Sequence, residues 1–261
     1  MINPDPNVSL KEHGYIVLND YFAGSLIEEL REDLDFWLKY AAIIRKKNGL
    51  EEEMSSVAHH VLGRDDSMAK LIKLLPFDAI LRRHFDGPYI LNSFGGLSHN
   101  RVLGGKESYN HVNKFHRDVR TYSSSLPLMV NVLIMLDDFS ERNGATKALP
   151  LSHKIKEKPS QKVFNQNAID FLGKSGTAVI FDSNLWHSAT PNTTPLPRRA
   201  LTLTFTRPFV KPQIDYCRLV GTEFSNDPRV LEVIGLKSRI PESHEDWYQP
   251  SSKRFYFSDQ G

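Results

Sequence analysis

Residues 128–136, LMVNVLIML, read as a short strand, and the runs around them share the same grammar. YILNSF (89–94), LSHNRVL (97–103), KFHRDVR (114–120), TKALPLS (146–152), TAVIFDS (177–183) and RALTLTFT (199–206) are each short, and turns rich in Gly, Pro, Asn and Ser separate them. Many short strands at this spacing predict a sandwich, jelly roll or barrel. Upstream of Pro88 the pattern is helical. HGYIVLNDYF (13–22) reads as a strand and turn, and SLIEELREDLDFWLKY (25–40) carries Leu26, Ile27, Leu30, Leu34, Trp37 and Leu38 at helical spacing. Ser25 with Glu28 predicts a capping box at its start. A second helical stretch, 67–85, is broken at Pro76.

The expected architecture is α+β and mainly β, a single domain over 1–261. A helical buttress (about 22–86) covers one outer face of a strand-built core (about 88–210), followed by an irregular tail (about 211–261) packed on the domain. Lys+Arg 33 against Asp+Glu 31 leaves a charge of +2, so no nucleic-acid partner is expected. One cysteine, Cys217, excludes an internal disulfide and a thiolate cage, and fits a reducing compartment. The first residues carry no basic or apolar leader pattern, and no apolar run approaches a membrane span, so a cytoplasmic protein is expected.

KFHRDVR raises the question of chemistry. Alternation along a strand sends His116 and Asp118 to one face and Arg117 to the other. The pair is either half of a metal site or a surface ion pair. A third donor, His187, stands 69 residues after Asp118 in the polar turn that follows Ala178–Phe181. Two histidines and one carboxylate make the facial triad of non-haem iron(II) oxygenases. An H-x-D pair with a distant histidine is unlike the helical or cysteine-rich zinc motifs. Arg198 follows His187 by eleven residues, at a place suited to a co-substrate carboxylate. Arg198 shares parity with Ala200, Thr202 and Thr204, and Arg199 with Leu201, Leu203 and Phe205, so the polar face and Arg198 belong to the pocket.

HRD at 116–118, LDDFSERNGATKALPLSHK at 136–154 and WHSATPNTTPLPRRALTLTF at 186–205 together resemble the phytanoyl-CoA dioxygenase (PhyH-like) family of iron(II)/2-oxoglutarate oxygenases. EHGYIVLNDYFAGSLIEELREDL at 12–34 resembles the family's amino-terminal strand and helix, so the likeness spans roughly residues 10 to 210. It implies a double-stranded β-helix, or jelly roll. It also implies Fe(II) held by His116, Asp118 and His187, and 2-oxoglutarate held through its 5-carboxylate by Arg198. Asn100, in the strand before a glycine-containing loop, and Asn131 are the further positions expected near the co-substrate. Dioxygen is the oxidant, with ascorbate as an accessory reductant.

The implied reaction is hydroxylation of an unactivated C–H of a small-molecule metabolite, with 2-oxoglutarate going to succinate and CO2. An aspartate at 118, where halogenating relatives place a small residue, favours hydroxylation or a related oxidation. The chain departs from the family at Leu151, which occupies a position that is glycine in many members; His153 beside it is read as structural. The loop 104–113 (with Lys106, Tyr109 and His111), the stretch 41–65 and the tail around Trp247 and Tyr248 are the candidate walls or lid of the pocket. The rival readings are an oxygenase acting on a protein or nucleic-acid group, and an inactive jelly-roll binding protein.

Overall fold

The computed structural model describes residues 6–50, 56–101, 114–123 and 126–250. Its centre is a six-stranded antiparallel sheet in the order β1-β7-β4-β9-β3-β2. These are β1 (Tyr15–Leu18), β2 (Val57–His59), β3 (Ile90–His99), β4 (Met129–Met135), β7 (Ala178–Asp182) and β9 (Arg198–Thr206). Facing it is a smaller sheet of β6 (Ile169–Asp170), β5 (Thr146–Ala148) and β8 (His187–Ala189). One further bridge, His116 to His187, adds the H-x-D segment to that sheet's edge. The pairings of β3, β4, β7 and β9 in one sheet, with β5, β6, β8 and the 116 segment opposite, make a jelly roll.

Alternation explains the two layers. Along β4, Val130, Val132 and Ile134 point to one side and join Leu201, Leu203 and Phe205 of β9 under the helices. The helical layer supplies Ile27, Leu30, Leu34 and Trp37 from α2 (Gly24–Lys47), with further side chains from α3 (Ser67–Leu74) and α4 (Asp78–Phe85). Leu133 and Met135 point the other way, with Val179, Phe181 and Ala200, and meet Ala148 from the smaller sheet and Phe171 just past β6. Each fully buried aliphatic side chain contributes about 1.5–3 kcal/mol, so the double-sided apolar strands anchor both layers.

Several expectations need correction. The helix after β1 starts at Gly24 with Ala23 as its cap and no side-chain capping bond, so Ser25 lies inside the first turn. Its entry is set by the Tyr21 and Phe22 N–H groups, which both donate to the Gly176 carbonyl. YILNSF and the start of LSHNRVL are one strand, β3, because a register shift between Leu91 and Ser93 lets it follow β9 throughout. The break at Pro76 holds, with α3 ending at Leu74 and α4 starting at Asp78. Beyond β9 the chain is more helical than expected, forming α6 (Tyr216–Val220), α7 (Pro228–Val233) and α8 (His244–Trp247) after the earlier short α1 (Pro6–His13) and α5 (Gln161–Asn167).

Candidate active site

The H-x-D segment is not the strand its alternation suggests. His116 exchanges two backbone hydrogen bonds with His187, at 2.8 and 3.0 Å, and then the chain turns away. The Asp118 N–H donates instead to the Ser183 carbonyl, 3.1 Å distant, in the turn after β7. His116 and Asp118 face His187, while the Arg117 guanidinium donates to the Lys156 and Ser152 carbonyls on the other side.

His116, Asp118 and His187 each offer one donor atom, and these atoms lie within 4.8 Å of one another. His116 Nε2 is 3.4 Å from Asp118 Oδ1, and His187 Nε2 is 3.6 Å from Asp118 Oδ2. The Nδ1 atoms of both imidazoles lie 2.9 Å from carbonyl oxygens, of Lys114 and Leu185 respectively. A carbonyl only accepts, so Nδ1 carries the proton in each neutral ring and the Nε2 lone pairs converge on the carboxylate. That arrangement is repulsive without a cation among the three donors, and it is the arrangement a metal requires. The Asp118 carboxylate favours a second proton, on His116 Nε2, and so lifts the His116 pKa above its ordinary value, whereas burial holds that of His187 below it. Burial works to raise the Asp118 carboxyl, but His187, His116 and the Asn131 amide outweigh it and hold the carboxyl low.

Asn131 lies against Asp118. Its amide donates to Asp118 Oδ2, and its carbonyl accepts from Thr204 Oγ1 at 2.9 Å. It therefore orients the carboxylate, a role parity alone could not separate from co-substrate contact. Thr204 completes that chain and was visible in the sequence as a member of the polar face. Asn100 lies one residue beyond β3 and is exposed, so it is not the strand residue expected.

Arg198 is 3% exposed, and its Nε and Nη1 atoms are buried without a hydrogen-bond partner among the described residues. Its guanidinium carbon lies 4.2 Å from the centre of the Phe139 ring. Burial lowers its pKa to about 10, so it remains cationic at neutral pH. Arg199 is the contrast: Nε and Nη2 form a fork on the Asp137 carboxylate, each at 3.1 Å. One arginine is neutralised and the other is left with an open charge in an apolar site. His99, missed in the sequence, pairs with Arg198 across β3 and β9. Burial and the neighbouring Arg198 charge both hold the His99 pKa below its ordinary value.

His153 is a structural residue: its Nε2 is 3.1 Å from the Lys11 carbonyl, and its ring leaves no room for a Cβ at Gly14. Of the candidate walls, 104–113 falls outside the described residues. The stretch 41–65 is partly the end of α2 and the edge strand β2, and Tyr248, just past α8, is 80% exposed.

The jelly roll and its convergent donors define the class. Residues 10–200 match the family model described as phytanoyl-CoA dioxygenase (PhyH), and the chain belongs to that family. It is 35% identical over 191 residues to "Uncharacterized protein Rv1501" of Mycobacterium tuberculosis, an alignment covering 72% of this chain and 66% of the relative. That is just under two thirds of the relative's length. "Dioxygenase cdmA" of Talaromyces verruculosus is 25% identical over 252 residues, covering 88% of this chain and 82% of that one. The crystal structure of EctD from S. alaskensis in its apoform superposes with a TM-score of 0.63 at 18% identity, covering 82% and 81% of the two chains. That likeness concerns the fold. Among the described residues, no helix is long and apolar enough to cross a membrane.

Proposed function

We propose that this chain is an Fe(II)- and 2-oxoglutarate-dependent dioxygenase that hydroxylates an unactivated C–H of a small-molecule metabolite. One observation carries the reading: two Nε2 lone pairs and a carboxylate converge on one point, and a buried arginine with unpaired N–H groups lies over Phe139, in the same inter-sheet cluster as the Phe181 ring that touches His187. Family membership and a relative called a dioxygenase support it.

The donor set fits iron(II), since two neutral imidazoles and one carboxylate leave three positions on one face open. Iron(II), when bound, supplies the activation of dioxygen, coupled to oxidative decarboxylation of 2-oxoglutarate to succinate and CO2 and to replacement of a substrate C–H by C–OH. The chain's own contribution is geometry. Backbone carbonyls of Lys114 and Leu185 fix the tautomers of His116 and His187. The Asn131 amide holds the Asp118 carboxylate through Oδ2. Arg198 offers two directed N–H groups to the far carboxylate of the co-substrate, in a site where a charge-assisted bond is worth more than in water.

The test is anaerobic calorimetry of 2-oxoglutarate binding in the presence of Fe(II). Wild type is expected to bind, and Arg198→Gln to bind roughly 30-fold or more weakly, the cost of removing one member of a buried charge pair. Absence of iron-dependent binding in wild type contradicts the proposal.

A further inference from the structure

Arg117 lies between two metal donors and points away from both, and the chemistry above leaves it without a task. It is 9% exposed, so it is poorly placed to meet a substrate. Its Nη1 donates to the Lys156 carbonyl at 3.0 Å and its Nη2 to the Ser152 carbonyl at 3.3 Å. The guanidinium also lies over the Trp186 ring, 4.6 Å from its centre, and 5.3 Å from that of Tyr122. The turn it grips reaches back to both ligand segments. Ser152 Oγ accepts from the Trp186 N–H at 2.9 Å, and Trp186 immediately precedes His187. The Tyr122 hydroxyl donates to the Lys154 carbonyl at 2.7 Å. Arg117 thus joins three segments behind the donors: 114–122, 149–156 and 185–187.

We infer that Arg117 is a positioning residue that sets the metal affinity of the site by locking the His116–Asp118 segment to the start of β8 from behind. The inference rests on reading His116, Asp118 and His187 as ligands. His187 is held by the pairing of β5 with β8, but the His116–Asp118 segment joins that sheet through a single bridge that Asp118 has already left, so the backbone ladder alone fixes this segment weakly. A metal tolerates donor displacements of about 0.2 Å. A planar guanidinium can bond two carbonyls while lying flat on an indole, and a lysine ammonium cannot do both. Loss of such an outer partner weakens metal binding about 10–100-fold.

The experiment titrates the metal-free protein with Co(II), following visible absorption and heat, for wild type, Arg117→Lys, Arg117→Gln and Ser152→Ala. The control is Arg229→Lys, since Arg229 bonds Asp78 and Glu232 and touches none of the three segments. Thermal midpoints are taken for every metal-free variant. Both Arg117 variants are expected to weaken Co(II) binding about 10–100-fold and to change the visible spectrum at saturation. Ser152→Ala should weaken binding by a smaller factor and carries the test alone if the Arg117 variants do not fold. Arg229→Lys should lower the midpoint and leave affinity and spectrum unchanged. Wild-type affinity in the Arg117 and Ser152 variants, or a loss in Arg229→Lys proportionate to its midpoint, overturns the inference. Failure of wild type itself to bind Co(II) removes the ligand assignment and the inference together.

Discussion

At the scale of single residues, parity along β9 sends two adjacent arginines to opposite faces, and the structure has them there. Arg198 and Arg199 are chemically identical, and what differs is the face: one meets Phe139 in the interior, the other pairs with Asp137 beside α2. Parity reached less far for Asn131. It showed an amide among apolar neighbours, but the partner, Asp118, arrives through tertiary placement of another segment. Asn131→Leu should leave Asp118 Oδ2 without its donor and weaken metal binding about 10–100-fold, read by Co(II) titration. Unchanged affinity would show that the carboxylate is oriented by other means. Leu151, noted in the sequence as a departure from glycine, holds a left-handed φ of 66° and is half exposed. Left-handed backbone costs a non-glycine residue about 1–2 kcal/mol, and glycine's freedom in the unfolded chain returns about 0.5–1. Leu151→Gly is therefore expected to stabilise by roughly 0.5–1 kcal/mol, measured by thermal or urea unfolding. A lower midpoint would mean that the Leu151 side chain packs more than its exposure suggests.

Among the elements, strand type was legible and strand length was not. β4 and β7 are buried on both faces, and their apolar runs say so directly, whereas β9 alternates and leaves Thr202 exposed. The HRD segment alternates like a strand but keeps one bridge, because Asp118 and Val119 turn to the Ser183 carbonyl. No local signal encodes that exchange of partner. The turn leading into β5 requires its glycine. Gly144 there has φ 86°, and a Cβ would lie 2.8 Å from the Thr190 carbonyl oxygen and 2.6 Å from the His99 ring. Gly144→Ala should destabilise by about 1–3 kcal/mol. It should also weaken 2-oxoglutarate binding, since His99 lies beside Arg198. Unfolding and calorimetry on one preparation check both effects, and an unchanged affinity would separate this turn from the pocket.

For the whole molecule, the order of a helical buttress before a strand-built core was legible from the change of period near Pro88. The attachment of the later helices was not, since it depends on charged pairs distant in sequence. Arg229 of α7 reaches Asp78 at the start of α4, with Nη2 to Oδ1 at 2.7 Å, and Tyr89 donates to the same oxygen at 2.7 Å. Burial works to raise the Asp78 pKa, but the bonds from Arg229 and Tyr89 prevail and hold it below 3.8. A carboxyl depressed in the folded state stabilises above its unfolded pKa, and that contribution disappears as pH falls through the lower folded value. Wild type should lose stability on acidification below about pH 4, and Asp78→Asn should show a shallower dependence there. At neutral pH the variant is expected to cost roughly 1–2 kcal/mol, discounted for partial exposure. Parallel acid profiles would contradict this link between α4 and α7. The central claim is that one site holds iron through His116, Asp118 and His187 and a 2-oxoglutarate carboxylate through Arg198. Its most direct measurement is succinate formation from 2-oxoglutarate by purified protein with Fe(II) and ascorbate, without added substrate. Wild type is predicted to turn over slowly, and His116→Ala and Arg198→Ala to fall to background. Wild type as silent as both variants, or succinate formed equally by all three, would contradict the account.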